Sequence, residues 1–221
     1  MILRPGAPVI GKYELASATL ARVDGDWARL VGDVGPCTHA PKPAREPFEA
    51  LVRAVAHQQL HARAAEAMVA RLVALSPGGE PFPTPRALRD LDASALRGCG
   101  FSARKVATLY ALAEGALSGL VPAREAALQM SDGELTARLT SLPGIGAWTV
   151  EMMLIYTLER EDVFPVDDFG VREGFRRLKA LERQPTRSAL LRAGEALRPY
   201  RTIASWYLWR VPKGTSRAAG S

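Results

Sequence analysis

The sequence predicts an all-α chain whose helices gather into two lobes with a cleft between them. Three observations carry this. Apolar residues recur at i, i+4 and i+7 or i+8 in segment after segment, the period of a helix with one buried face. No alternating apolar and polar run longer than a few residues marks a strand, and no internal repeat is present. Glycine and proline fall between the periodic segments, where they end helices. For such a chain, packing helix on helix is the way to bury those faces.

Residues 1–16 contain Pro5, Gly6, Pro8 and Gly11 and are expected to form an irregular or short extended arm. A first helix is expected over 17–31, interrupted near Gly25, and a Pro-rich connector over 35–47. From Glu46 onward Phe48, Leu51, Val52 and Val55 lie at helical spacing. Gln58 and Gln59 stand where that stripe would continue. The helix is therefore expected to end there and a new one to run over 62–75, with Ala65, Val69 and Leu72 on one face. A Gly/Pro loop over 76–85 precedes short helices at 86–91, 93–97, 103–119 and 124–130. Residues 131–142 form the next helix, with Leu135, Leu139 and Leu142 on one face. Ser131 followed by Glu134 is a capping-box pattern at its start. A helix over 147–158 carries Val150, Leu154 and Leu158. One over 168–181 carries Val171, Phe175 and Leu178, and the last spans 186–208. The small polar tail 213–221 is expected to be disordered.

The chain of 221 residues has 29 basic and 23 acidic residues, a formal charge of +6, which favours a polyanionic partner. Arg and Lys are dispersed, so folding has to assemble any basic face. Cys37 and Cys99 offer neither a disulfide framework nor zinc-ligand spacing. Residues 1–20 lack an apolar signal core, and no apolar run approaches the roughly 18 residues that span a membrane. A cytoplasmic monomer is expected, nucleoid-associated if the cell is bacterial, with no membrane partner.

The densest signal is Leu142-Pro-Gly-Ile-Gly-Ala-Trp-Thr-Val150. Pro143 sets its own φ, and Gly144 and Gly146 are expected to take positive φ and admit a second backbone. The helix that follows opens with amides lacking intrahelical partners at its positive dipole end, an arrangement that attracts an anion. The loop is too short, and lacks the lysine, to cradle a nucleoside triphosphate, so a single phosphodiester is the better ligand. A lone Gly-x-Gly more often only joins two helices. Here an acidic pair, Asp167-Asp168, begins another helix about twenty residues downstream.

Helix, Leu142-Pro-Gly-Ile-Gly146, helix resembles the helix-hairpin-helix motif of DNA-binding proteins. Joined to Pro165-Val-Asp-Asp168, it resembles the helix-hairpin-helix DNA glycosylase superfamily, in its alkylpurine (3-methyladenine DNA glycosylase II) branch, over roughly residues 44–211. The expected organisation is an N-terminal arm and first helix (1–43) packed on the core, a glycosylase domain (44–211) and a flexible tail (212–221). The resemblance implies a monofunctional enzyme of base excision repair. It would flip an alkylated base from damaged double-stranded DNA and hydrolyse the N-glycosidic bond, leaving an abasic site. Backbone contact is expected from Pro143, Gly144, Ile145, Gly146 and Thr149. The resemblance implies no catalytic cofactor, and a structural cation at the carbonyls of Thr140, Leu142 and Ile145. Two cysteines cannot supply the four-Cys iron–sulfur cluster of some relatives.

A carboxylate near C1′ stabilises the positive charge that develops on the sugar or activates water. The family pattern points to the second aspartate of the run, Asp168. Counting back from Arg172, as other branches allow, points to Asp167. One of the two is expected to cap the helix and the other to face the cleft. Position 148 holds the Schiff-base lysine in backbone-cutting relatives. Here it is Trp148, a surface for an electron-poor base, although a core role is the plainer alternative. Met152 and Tyr200 fall on the other pocket positions, replacing a tyrosine and a tryptophan. Gln59 falls on the wedge position that fills the space left by the flipped base, with Leu60 after it and Gln58 as a DNA contact beside it. His57 and His61 lack a third metal ligand nearby. The competing readings are a bifunctional glycosylase/lyase using Lys105 or Lys179, and a helix-hairpin-helix DNA-binding protein without chemistry.

Overall fold

The computed structural model describes residue 11 and residues 13–212. These hold thirteen α-helices and two short 3-10 turns, with no strand among the described residues. The helices are α1 (Glu14–Leu20), α2 (Gly25–Val34), α3 (Pro47–His57), α4 (Ala62–Val73), α5 (Pro85–Asp90), α6 (Ala93–Gly98) and α7 (Ala103–Leu117). They continue with α8 (Arg124–Gln129), α9 (Asp132–Leu139), α10 (Ala147–Tyr156), α11 (Phe169–Leu178), α12 (Arg187–Gly194) and α13 (Arg201–Leu208). The chain divides into two compact units, one of residues up to 40 with those from 161 onward, the other of residues 41–160. The expected tail 213–221 and most of the expected arm, residues 1–10 and 12, lie outside the described residues.

The interruption expected near Gly25 is present, where the Asp24 side chain accepts from the amides of Asp26 and Trp27 and starts α2 afresh. Two expectations about elements change. Residues 14–16, expected in the irregular arm, already belong to α1. The expected helix over 186–208 breaks into α12, a 3-10 turn (Glu195–Leu197) and α13. Pro199 explains the break, since it disfavours helical geometry in the residue before it, and Arg198 is extended. Arg198 and Arg201 flank the break and hold Asp162, Arg201 with Nε 2.7 Å from Oδ1 and Nη2 2.9 Å from Oδ2. The remaining helices stand within a few residues of their expected bounds. Ser131 and Glu134 form the capping box their spacing implied.

In unit 41–160, α3 is the central helix and packs against α4, α7 and α10. Leu51, Val52, Val55 and Ala56 are fully buried there. Arg160 Nη2 donates to the Met130 carbonyl (2.7 Å) and its Nε lies 3.1 Å from Asp132, fastening the α8–α9 junction. In the other unit, Leu20, Trp27, Leu30, Val171, Leu190, Ala204 and Tyr207 form the core. The Tyr207 hydroxyl lies 2.8 Å from Ser17 Oγ and 3.0 Å from the Gly35 carbonyl, joining α13 to the N-terminal helices. Lys179 at the end of α11 pairs with Asp24 and Asp26 at the start of α2.

The polar face of α11 is organised by Glu173. Its carboxylate accepts from Arg176 (2.8 and 2.9 Å), Arg177 (2.9 Å) and Gln184 (3.2 Å). These donors hold its pKa down to about 2 from the ordinary 4.5. A depressed carboxylate contributes stability above its unfolded value and loses it as the pH falls through the folded value. Glu173→Gln is therefore expected to lower stability at pH 7 by about 1 kcal/mol, an exposed-network magnitude. The difference from wild type should shrink between pH 4.5 and about 2, followed by urea unfolding across that range.

Candidate nucleic-acid interface and acid

The hairpin of unit 41–160 is anchored from beneath. Leu142 and Ile145 are buried, and the Ile145 amide donates to the Leu142 carbonyl at 3.2 Å. Pro143, Gly144 and Gly146 are exposed between these anchors. Gly144 has φ +81° and lies so close to α7 that a Cβ would overlap the Thr108 hydroxyl. The expectation of positive φ at both glycines holds only here. Gly146 has φ −101° and serves as the N-cap residue of α10, with open space where a Cβ would stand. The absent side chain there leaves the helix mouth uncovered. Thr140 ends α9 as its C-cap residue, so the carbonyls of Thr140, Leu142 and Ile145 belong to one short turn region.

The junction of α3 and α4 is tied to this hairpin. Gln58 Nε2 donates to the Gly144 carbonyl (3.1 Å) and to Thr149 Oγ1 (3.0 Å). Gln58 and Thr149, both expected to touch DNA, thus also contact one another within the protein. The Gln58 amide group braces the hairpin, and Thr149 is buried with its hydroxyl facing that amide. Lys105 Nζ, on α7, donates to the carbonyls of Ala56 and Gln58, both at 3.0 Å, and so closes the end of α3. Burial pushes the Lys105 ammonium below the ordinary lysine range. Gln59 then sits at the apex, exposed, with φ +56°, in the left-handed region that non-glycine residues seldom occupy. Leu60 follows it, 44% exposed. Held strain at an exposed apex beside an uncovered leucine is an arrangement suited to insertion. His57 lies 3.4 Å from Glu66, and His61 is the N-cap residue of α4.

Trp148 and Met152 lie one turn apart on α10 and are half-buried, while Val150, Met153 and Leu154 are buried. Trp148 is thus only partly buried, in the first turn of the helix that follows the hairpin.

The acidic pair belongs to the other unit, as does Tyr200, a half-buried residue packed against that unit's core at the start of α13. Asp167 is exposed and ion-paired with Arg187. Asp168 is the N-cap of α11, its Oδ1 accepting from the Val171 amide at 2.8 Å. The same oxygen accepts from the indole Nε1 of Trp209, also at 2.8 Å. One aspartate of the pair does cap the helix, and it is Asp168, the one that the resemblance marks for chemistry, while Asp167 pairs with Arg187.

Two residues escaped the sequence reading. Phe169 is 73% exposed directly after Asp168. It is out of phase with Val171, Phe175 and Leu178, and a large aromatic off the core stripe was a legible signal. Trp209 carries no local sign of its partner, which lies 41 residues earlier. The lysines of the lyase alternative are both engaged. Lys105 donates to two carbonyls, and Lys179 pairs with Asp24 (2.5 Å) and Asp26 (3.1 Å).

Residues 52–199 match the HhH-GPD superfamily of base excision DNA repair proteins. DNA-3-methyladenine glycosylase 1 of Schizosaccharomyces pombe is 46% identical over 208 residues, spanning 93% of this chain and 90% of the relative. A solved structure of a 3-methyladenine DNA glycosylase from that organism, in complex with abasic DNA, superposes with a TM-score of 0.84. The match is 46% identical and covers 89% of this chain and 95% of that one. A DNA-3-methyladenine glycosidase from Bacillus halodurans gives a TM-score of 0.74 at 30% identity, covering 88% of each chain. The chain belongs to the HhH-GPD superfamily of base excision DNA repair proteins.

Proposed function

We propose that this chain is a monofunctional DNA glycosylase of the 3-methyladenine type, with Asp168 as its catalytic carboxylate. The observation that carries this is a carboxylate fixed by two N–H donors at the start of α11, next to an uncovered aromatic. As the N-glycosidic bond breaks, its electron pair leaves with the base and positive charge builds on the deoxyribose. The Asp168 carboxylate stabilises that charge and water adds at C1′, giving an abasic site and a free base. An alkylated purine leaves readily because it already carries positive charge. Trp148 offers such a base a π surface, with Met152 beside it, and the resemblance assigns a base contact to Tyr200.

DNA as partner is supported by the relative solved with abasic DNA. The damaged duplex is the finer proposal. Gly144 and Gly146, with Pro143, meet the phosphodiester backbone, and the amides at the mouth of α10 supply the positive end. Gln59 and Leu60 enter the space that the flipped base leaves. The carbonyls of Thr140, Leu142 and Ile145 are neutral oxygen donors, a set suited to a hard cation that would be structural and take no part in hydrolysis. The protein acts as a monomer in this reading. A lyase would need an amine at C1′, whereas position 148 is tryptophan and both candidate lysines are engaged elsewhere.

On duplexes carrying methylated purines, the wild-type protein is expected to release the base and leave sites that break only with alkali. Asp168→Asn should slow release by about a hundredfold or more, the loss typical of a charge-stabilising group. Asp167→Asn should remain within a few-fold of wild type. Borohydride should trap no covalent adduct on abasic DNA. Activity kept in Asp168→Asn and lost in Asp167→Asn would move the acid to position 167, and a trapped adduct would establish the lyase. In a second test, Gln59→Ala should weaken binding to lesion duplexes by about tenfold while changing binding to undamaged DNA little. Equal losses on the two DNAs would remove the wedge role.

A further inference from the structure

We propose that Trp209 is a positioning residue for Asp168, and that Gly170 and Gly174 are glycines in order to seat it. This rests on the assignment of Asp168 made above. A carboxylate held only as an N-cap has one donor and can turn about its side-chain torsions without leaving the helix end. Asp168 has a second donor from a different element, and both donors meet the same oxygen, Oδ1, at 2.8 Å. Two N–H groups converging on one oxygen from separate helices define the plane of the carboxylate and the direction of the whole group.

The glycines show that the approach of Trp209 is built in. A Cβ on Gly170 would lie 2.7 Å from Trp209 Cδ1, 3.1 Å from its Nε1 and 3.1 Å from Asp168 Oδ1. Any side chain at 170 would displace the indole from the carboxylate. One turn later, a Cβ on Gly174 would overlap the carbonyl of Leu208, the residue before Trp209. Gly170 and Gly174 share a face of α11 at i and i+4, and the end of α13 lies against bare backbone there. Neither glycine has positive φ, so backbone conformation does not require glycine at either place. Closeness to the end of α13 is the requirement that remains. Trp209 is half-buried and touches the core, so packing alone would account for its ring. It would not account for an N–H aimed at the carboxylate under a helix turn stripped of its side chain.

The test separates rate from binding. With enzyme in excess on a methylated-purine duplex, Trp209→Phe keeps the ring and removes the donor. The excision rate should fall about tenfold or more, as expected for loss of a hydrogen bond to a charged group. Affinity for abasic-site DNA should stay within about twofold, and far-ultraviolet circular dichroism should be that of wild type. Gly170→Ala leaves Asp168 and Trp209 in place but pushes them apart, and should slow excision in the same way. The Trp209→Phe/Gly170→Ala double variant should be no slower than the worse single one, because both changes break one contact. Full excision rate in Trp209→Phe, with Asp168→Asn inactive in the same assay, overturns this proposal while leaving the acid assignment intact. Multiplied losses in the double variant, or a rate loss matched by an equal loss of affinity, also overturn it. Activity retained by Asp168→Asn would instead overturn the acid assignment itself. If Trp209→Phe does not fold, Gly170→Ala decides alone, with slowed excision at unchanged affinity supporting the proposal and full rate ending it.

Discussion

The close approach of α13 to the first turns of α11 is the constraint on which the unit bearing Asp168 depends. It brings a chain segment from the far end of the sequence onto bare helix backbone at Gly174, and sets Trp209 against Asp168. The same helix turns its other side inward, where Tyr207 reaches Ser17 and Gly35. One short helix therefore connects the N-terminal helices, the core and the acid. The break at Pro199 belongs to this arrangement. It separates α12 from α13, and the fork of Arg201 on Asp162 holds the start of α13 in place.

In the unit of residues 41–160 the comparable junction is the C-terminal end of α3. Helix ends leave carbonyls without partners, and those groups have to be met. Here Lys105 meets two of them with its ammonium. The contact that finishes the helix thus accounts for this lysine without lyase chemistry. The turn that follows can then afford an unfavourable backbone at Gln59, because both sides of it are fastened.

Much of this was legible from local pattern. The capping box at Ser131, the end of α3 at the paired glutamines and the helix beginning at the aspartates all follow from side chains acting on backbone within a few residues. Contacts whose deciding partner is distant leave no such local mark. Nothing near Gln58 shows that its amide belongs to a hairpin 86 residues away, or that the Thr149 hydroxyl faces it. Gly144 has the positive φ and the close approach expected of it, Gly146 has neither, and Gly170 and Gly174 are governed by the end of α13 beside them. The helix over 186–208 was overextended because its apolar period continues past Pro199, and the period was given more weight than the proline.

The Gln58 brace has a mechanical consequence. The apex that carries Gln59 and Leu60 is joined to the hairpin by a side-chain bridge of two hydrogen bonds, in addition to the helices between them. A load placed on the apex passes to the hairpin across roughly one side chain's length, without bending α3 or α10. In the reading proposed above, probing a base pair and gripping the strand beside it are thus coupled through this one side chain.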